Sequence, residues 1–288
     1  MKRILTIESR KSDEDKPLSV EHEILKFGLL KGSVERLIDV VATEDWVELY
    51  INGEHYAGFS CSPSKIKELV LGHLLTEGMI KKLEEVKSLD ISNGKVYVLL
   101  RRKSKPGFSR VRRILTECGG KPFKLPPHLW MGIGRVKGTS TFKLPLQTII
   151  EASKILNSQA HIFKITGGTH ASALLGEDGS VIAFAEDVGR HNAVDKVVGE
   201  AAMKDAAFER SILATTGRLT SEIVVKAANV GIPIIVSLSA PTDKGVKIAE
   251  TVGLTLIGFT RGKRFNVYTN PERIKTTGDT VQGENFLL

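Results

Sequence analysis

Ser211-Ile-Leu-Ala-Thr215, Pro233-Ile-Ile-Val-Ser237 and Leu254-Thr-Leu-Ile-Gly258 decide the reading of the fold. Each is a short apolar run bounded by turn-forming residues, the pattern of a strand buried on both faces. Between them, Thr220 to Val230 and Pro241 to Val252 carry apolar residues at helical spacing. Parallel neighbours need a crossover, and helices supply it while covering the sheet, so this βαβαβ segment predicts a parallel arrangement.

Upstream, His161-Ile-Phe-Lys-Ile165 and Val181-Ile-Ala-Phe-Ala185 read as two further strands, and Leu146 to Leu156 and Asn192 to Lys204 as helices. Before about Pro145 the chain is strand-rich. Residues 18–30 and 34–42 mix polar with apolar side chains, and Trp46 to Ile51 alternates like a half-buried strand. Asn52-Gly53 is a hairpin turn signal with His55 to Phe59 as the return strand, and Asn93-Gly94 joins Val86–Ile91 to Lys95–Leu100 in the same way. Ser62-Pro63-Ser64 reads as a helix start with proline in the first turn. Ile66, Leu69, Val70, His73 and Leu74 then recur at helical spacing as far as Gly78. The expected fold is therefore α/β: a strand-rich N-terminal α+β domain over 1–144, a C-terminal α/β domain over 145–274, and a polar tail over 275–288.

The 288 residues, 41% hydrophobic and 26% charged, are ordinary for a soluble globular protein. No apolar run approaches the roughly 18 residues that span a bilayer, and the N-terminus lacks the apolar segment of a secretory signal. Two cysteines make neither a disulfide framework nor a cysteine-rich zinc site, so a reducing cytoplasm is the expected location. The formal charge of +8 calls for an anionic partner. Nucleic acid, acidic protein, nucleotide and phosphate-bearing cofactor all fit that sign. Aromatic content of only 6%, with no nucleic-acid motif at full spacing, disfavours the first.

Cys118 stands in Arg110-Val-Arg-Arg-Ile-Leu-Thr-Glu-Cys118-Gly119-Gly120-Lys121, inside a basic, glycine- and proline-rich stretch from Arg101 to Gly138 that reads as a long loop. Positive charge lowers a thiol's pKa, and the thiolate is the nucleophile. Free cysteine also serves as a buried space-filler, and the local sequence leaves both uses open. Cys61 reads as the structural one.

Polar, glycine-rich residues follow each predicted C-terminal strand: Thr166-Gly-Gly-Thr-His170, Glu186-Asp-Val-Gly-Arg-His-Asn192, Thr216-Gly-Arg218, Leu238-Ser-Ala-Pro-Thr242 and Phe259-Thr-Arg-Gly-Lys-Arg264. Open α/β sheets bind ligands outside the carboxyl ends of their strands, and the helix N-termini reached by all but the last loop favour anions. Arg190, Arg218, Arg261, Lys263 and Arg264 suit phosphates. Gly168 and Ser239 lie in these loops. His170 and His191 fit either ligand contacts or structural roles. Glu186 and Asp187 read as positioning Arg190, and Asp195 and Lys196 as solvated or ion-paired helix residues. No Walker A, Rossmann or nucleophile-elbow sequence is present. His170-Ala171-Ser172 has serine where zinc deaminases carry their glutamate, and the paired cysteines are missing, so no metal set is expected.

These motifs resemble the formate dehydrogenase accessory family, FdhD. The resemblance rests on Thr166 to Ala171, Glu186 to Lys196, Gly231 to Thr242, Gly253 to Tyr268 and Leu71-Gly-His-Leu-Leu-Thr-Glu-Gly-Met-Ile80, and it runs from about residue 46 to 274. It implies a cytidine-deaminase-like C-terminal domain. It also implies a sulfurtransferase of carrier type, which accepts a persulfide from a cysteine desulfurase and sulfurates the molybdenum bis-guanine-dinucleotide cofactor needed by formate dehydrogenase. Cys118 takes the persulfide position in this resemblance, and Phe259, Thr260, Arg261, Gly262, Lys263 and Arg264 take the cofactor-binding segment. Lys121 occupies the place of the family loop's second cysteine, so a step requiring a local dithiol lacks its partner. Expected partners are the desulfurase, formate dehydrogenase and the cofactor or guanine nucleotide, with no nucleic acid and no membrane; a homodimer stays open. The alternative reading is a non-catalytic chaperone that binds and delivers the cofactor.

Overall fold

The computed structural model describes residues 6–9, 16–28, 32–101, 112–114 and 142–275. Cys118, Lys121, Arg110 and the tail beyond 275 lie outside the described residues. In chain order the elements begin with β1 (Thr6–Ser9), β2 (Ser19–Gly28), β3 (Ser33–Ala42), β4 (Asp45–Ile51), β5 (Glu54–Cys61) and α1 (Ile66–Thr76). There follow β6 (Val86–Ser92), β7 (Lys95–Leu100), β8 (Arg112–Ile114), β9 (Leu144–Pro145), α2 (Leu146–Gln159) and α3 (His161–Thr166). Next come β10 (His170–Gly176), β11 (Val181–Asp187), α4 (Arg190–Met203), β12 (Ser211–Thr215), α5 (Ser221–Val230) and β13 (Ile234–Ser237). The chain closes with α6 (Asp243–Val252), β14 (Thr255–Arg261), β15 (Arg264–Thr269) and β16 (Ile274–Lys275).

Two six-stranded sheets dominate this mixed α/β architecture, in the orders β1-β6-β7-β4-β5-β8 and β11-β10-β12-β13-β14-β15. The predicted βαβαβ segment forms as read: β12, β13 and β14 run parallel. Both predicted hairpins form, with Asn52, Gly53, Asn93 and Gly94 at positive φ, as tight turns between twisted strands require.

Several expectations fail, and one is the loop reading of Arg101 to Gly138: within it Arg112–Ile114 is strand β8, held by parallel pairing with β5. His161–Thr166 is helix α3, not a strand, and the strand beside β11 is β10, which begins at His170. A short apolar run does not distinguish the two periods by itself. Tertiary contacts decide it here: the Glu186 carboxylate accepts from the N–H groups of Ile162 (3.0 Å) and Phe163 (2.8 Å), and Gly167 closes the helix at φ 66°. At Ser62-Pro63-Ser64 the chain turns before the helix, which starts at Ile66 after a left-handed Lys65.

The N-terminal sheet packs α1 against α4 and α5, which lie on one face of the C-terminal sheet; α2 covers the other face. One buried cluster runs from Leu49, Phe59 and Val98 through Leu71 and Val197 to Leu213 and Leu256, joining residues from both halves of the chain. Beside this body, β2 and β3 form a separate two-stranded ribbon whose Phe27 and Ile38 are exposed.

Candidate functional site

Strand direction gathers the predicted loops. β10 is antiparallel to both β11 and β12. The start of β10 therefore lies with the ends of β11, β12, β13 and β14 along one sheet edge. The Thr166–His170 loop enters a strand instead of leaving one, yet reaches the same edge. The last segment is no loop: β14 continues to Arg261 and turns at Gly262 into β15.

The edge is stitched from strand to strand. Thr216 Oγ1 lies 3.2 Å from His170 Nδ1 and accepts from Ala171 N–H at 3.0 Å. Ser239 Oγ donates to the Thr216 carbonyl (2.8 Å), and Phe259 N–H donates to the Ser239 carbonyl (3.1 Å). Gly217 lies so close to Arg190 that an added Cβ would stand 2.8 Å from the arginine Cβ. His191 Nε2 lies 3.1 Å from Glu222 Oε2, and the imidazole beside it holds the Glu222 carboxyl below its usual range against the opposing effect of burial.

Positive charge prevails along this edge. Arg218, Arg261, Lys263 and Arg264 are exposed, Arg190 is half-buried, and Gly168 is exposed beside Ala42. Burial, followed by the charges of Arg190 and His191, pushes the His170 imidazole below its ordinary pKa, toward the neutral form. Phe259 is 41% exposed at φ 52°, a left-handed conformation that a bulky residue adopts only when its surroundings impose it. Next to it Thr260 is fully buried, and its Oγ1 has no hydrogen-bond partner; Thr220 Oγ1, at the uncapped start of α5, is likewise buried and unpartnered. The exposed arginines and lysine with the helix N-terminus at Thr220 suit a phosphate-bearing ligand.

Glu186 and Asp187 serve the fold. Glu186 starts α3 and accepts from Thr169. Asp187 accepts from the backbone N–H groups of Ser62 and Gly189, from the Asn192 amide and from Lys196. Asp195 and Lys196 are ion-paired as one reading had it, but buried, not solvated. Cys61 is buried, and desolvation with the neighbouring Asp187 charge pushes its thiol up to about 12, so it holds no thiolate near neutrality. Sequence reasoning missed Thr216 as the link between two strands. It also missed Ser62, whose partner lies 125 residues away with no local signal.

Residues 42–275, most of the chain, match the FdhD/NarQ family. The chain belongs to the FdhD/NarQ family. Its FdhD relatives include the sulfur carrier protein FdhD of Staphylococcus aureus strain MRSA252, 35% identical over 266 residues that cover 90% of this chain and 98% of that protein. The sulfur carrier protein FdhD of Sulfolobus acidocaldarius is 39% identical over 242 residues, covering 82% and 91%. Among solved structures, a formate dehydrogenase accessory protein from Desulfotalea psychrophila superposes with a TM-score of 0.73 at 28% identity, covering 90% of this chain and all of that one. The FdhD/NarQ match spans the C-terminal sheet, the N-terminal sheet apart from β1, and the segment that contains Cys118. No helix among the described residues is long and apolar enough to cross a membrane.

Proposed function

We propose that this FdhD-family chain is a sulfur carrier for formate dehydrogenase maturation, acting in the cytoplasm as a carrier-type sulfurtransferase. In this reading the Cys118 thiolate attacks the terminal sulfur of a desulfurase persulfide. The S–S bond breaks, the desulfurase cysteine leaves as thiolate, and Cys118 keeps the sulfane sulfur. The acceptor is the molybdenum bis-guanine-dinucleotide cofactor, the cargo, held by its phosphates along the cationic edge and by a guanine stacked on Phe259; its reduced metal would supply the two electrons that turn the sulfane sulfur into sulfide, with Cys118 leaving as the thiolate. The C-terminal domain is read as cytidine-deaminase-like in fold without deaminase chemistry.

The observation that carries the reading is the edge itself. Arg190, Arg218, Arg261, Lys263 and Arg264 and a strained exposed phenylalanine lie along the sheet edge where five chain segments meet. Such a surface suits a phosphorylated ligand with an aromatic base. Cys61 is too deeply buried to share the sulfur chemistry, which leaves it to Cys118.

Incubation with a cysteine desulfurase and cysteine, followed by peptide mass spectrometry, is expected to find one additional sulfur on Cys118. GDP is expected to bind more tightly than free phosphate. An unmodified Cys118 beside a labelled positive control sinks the carrier reading. Full activation of formate dehydrogenase by Cys118→Ala favours the delivery-chaperone alternative.

A further inference from the structure

Four hydrogen bonds tie the end of β5, in the N-terminal sheet, to the β11–α4 junction. Ser62 N–H donates to Asp187 Oδ2 at 3.0 Å, and Val188 N–H donates to Ser62 Oγ at 3.1 Å. The Asn192 amide donates to the Ser60 carbonyl (2.7 Å) and the Lys196 ammonium to the Ser62 carbonyl (2.9 Å). Lys196 also pairs with Asp187 at 2.5 Å, and both side chains are fully buried. Asp187 further accepts from Gly189 N–H (2.8 Å) and Asn192 (3.0 Å), so both of its oxygens are in use. A buried ion pair is a poor source of net stability, because desolvation offsets most of its Coulomb attraction. What this one supplies is geometry.

The two things joined are informative. Asp187 pairs in register with His170 at the strand-end edge, and Arg190 begins the helix three residues later. On the other side, β5 carries β8 in parallel, with Phe59 opposite Ile114, so β8 runs toward the same Ser60–Ser62 end. Cys118 follows Ile114 by four residues, a length of chain that spans at most about 14 Å when fully extended. The clamp thus fixes the root of the sulfur-bearing segment against the edge that holds the acceptor.

We infer that Asp187, Asn192 and Lys196 are positioning residues for sulfur transfer: they hold β5, and through it β8, in register with the strand-end edge. The inference rests on the sulfur-carrier reading above. A desulfurase approaches from outside and needs no such register, whereas handover to an acceptor bound at the edge does. Loss of the clamp therefore separates the two half-reactions, which a merely stabilising role does not.

The test replaces the ion pair by a neutral pair, Asp187→Asn with Lys196→Met, in the full chain, with folding followed by circular dichroism. Loading of Cys118 by a desulfurase is expected within about twofold of the unchanged protein, and formate dehydrogenase activation per loaded Cys118 to fall about tenfold or more, as small misplacements of reacting groups do. GDP binding is expected within about twofold, since the arginines and Phe259 remain. Should that variant fail to fold, Ser62→Ala removes only the acceptor of Val188 N–H, and a loss of about threefold in activation at unchanged loading is expected. Activation per loaded Cys118 equal to that of the unchanged protein, or loading and activation falling by the same factor, overturns the inference. Failure of the unchanged protein to load Cys118 overturns the sulfur-carrier reading itself, and this inference with it.

Discussion

Gly72 of α1 and Gly199 of α4 face one another where the two helices cross in backbone contact. A Cβ on Gly72 would lie 1.8 Å from the Asp195 carbonyl oxygen, and one on Gly199 would lie 1.9 Å from the Glu68 carbonyl oxygen. Neither helix can accept a side chain there without moving, and moving either displaces a sheet. Gly72→Ala and Gly199→Ala are each expected to cost about 1–3 kcal/mol or more, the usual range for overpacking a close-packed interior. Denaturant midpoints check this, and a midpoint unchanged in both variants contradicts the crossing geometry.

The same crossing holds a buried charge network. Asp195 accepts from Lys226 (2.9 Å) and Thr76 (2.7 Å) and lies 3.1 Å from His73 Nδ1, while Glu77 Oε1 is 3.0 Å from Lys226. Burial alone would raise the Asp195 carboxyl, but the Lys226 charge and the His73 bond hold it at about 2. A carboxyl depressed in the folded state contributes stability that is fully present above its unfolded value near 4 and is lost as pH falls toward 2. Thermal melts are expected to drop steeply across that window in the unchanged protein. Lys226→Met, which strands the carboxylate, is expected to lose about 3–5 kcal/mol at neutral pH and to show a shallower acid slope. Parallel acid profiles for the two proteins would remove Asp195 as the cause.

Cys61 should be silent in the native protein. With its thiol at about 12, alkylation at pH 8 is expected only after unfolding, while Cys61→Ala retains persulfide loading on Cys118. Iodoacetamide labelling read by peptide mass spectrometry distinguishes the sites. Rapid native labelling of Cys61 would mean that β5 opens readily.

Phe259 offers a split between stability and binding. Phe259→Gly relieves a left-handed φ of 52° and is expected to leave the fold equally or more stable, by up to about 1 kcal/mol, since glycine adopts that region freely. The same change removes the aromatic face and is expected to weaken GDP binding by about tenfold, within the range for base–aromatic stacking. Calorimetry of binding and of unfolding on one sample measures both. Unchanged GDP affinity would separate Phe259 from the ligand.

Much of this was legible in residues that act locally. The apolar runs at Ile212 and Ile234 have nowhere to go but a buried sheet, and Asn52-Gly53 and Asn93-Gly94 take positive φ at low cost wherever they occur. The polar segments after β11, β12 and β13 were legible as lying at strand ends, whereas Thr166–His170 precedes β10 and Phe259–Arg264 belongs to the β14–β15 hairpin. α3 was not legible, because its N-terminal N–H groups are satisfied by Glu186, more than 20 residues away. Neither was β10, whose Ala171-Ser-Ala run is strand because β11 and β12 flank it.

By itself, then, the sequence determined the secondary structure of its strongly periodic segments and the family resemblance, since each follows from local propensity or from motif. Tertiary structure alone decided that Asp187 is spent on Ser62, that Asp195 and Lys196 are buried, and that Cys61 is inert. Those outcomes depend on desolvation and on partners more than 30 residues distant, or 122 for His73 and Asp195. No local pattern encodes such a distance; only the packing of the two sheets around α1 and α4 brings it to hydrogen-bond length.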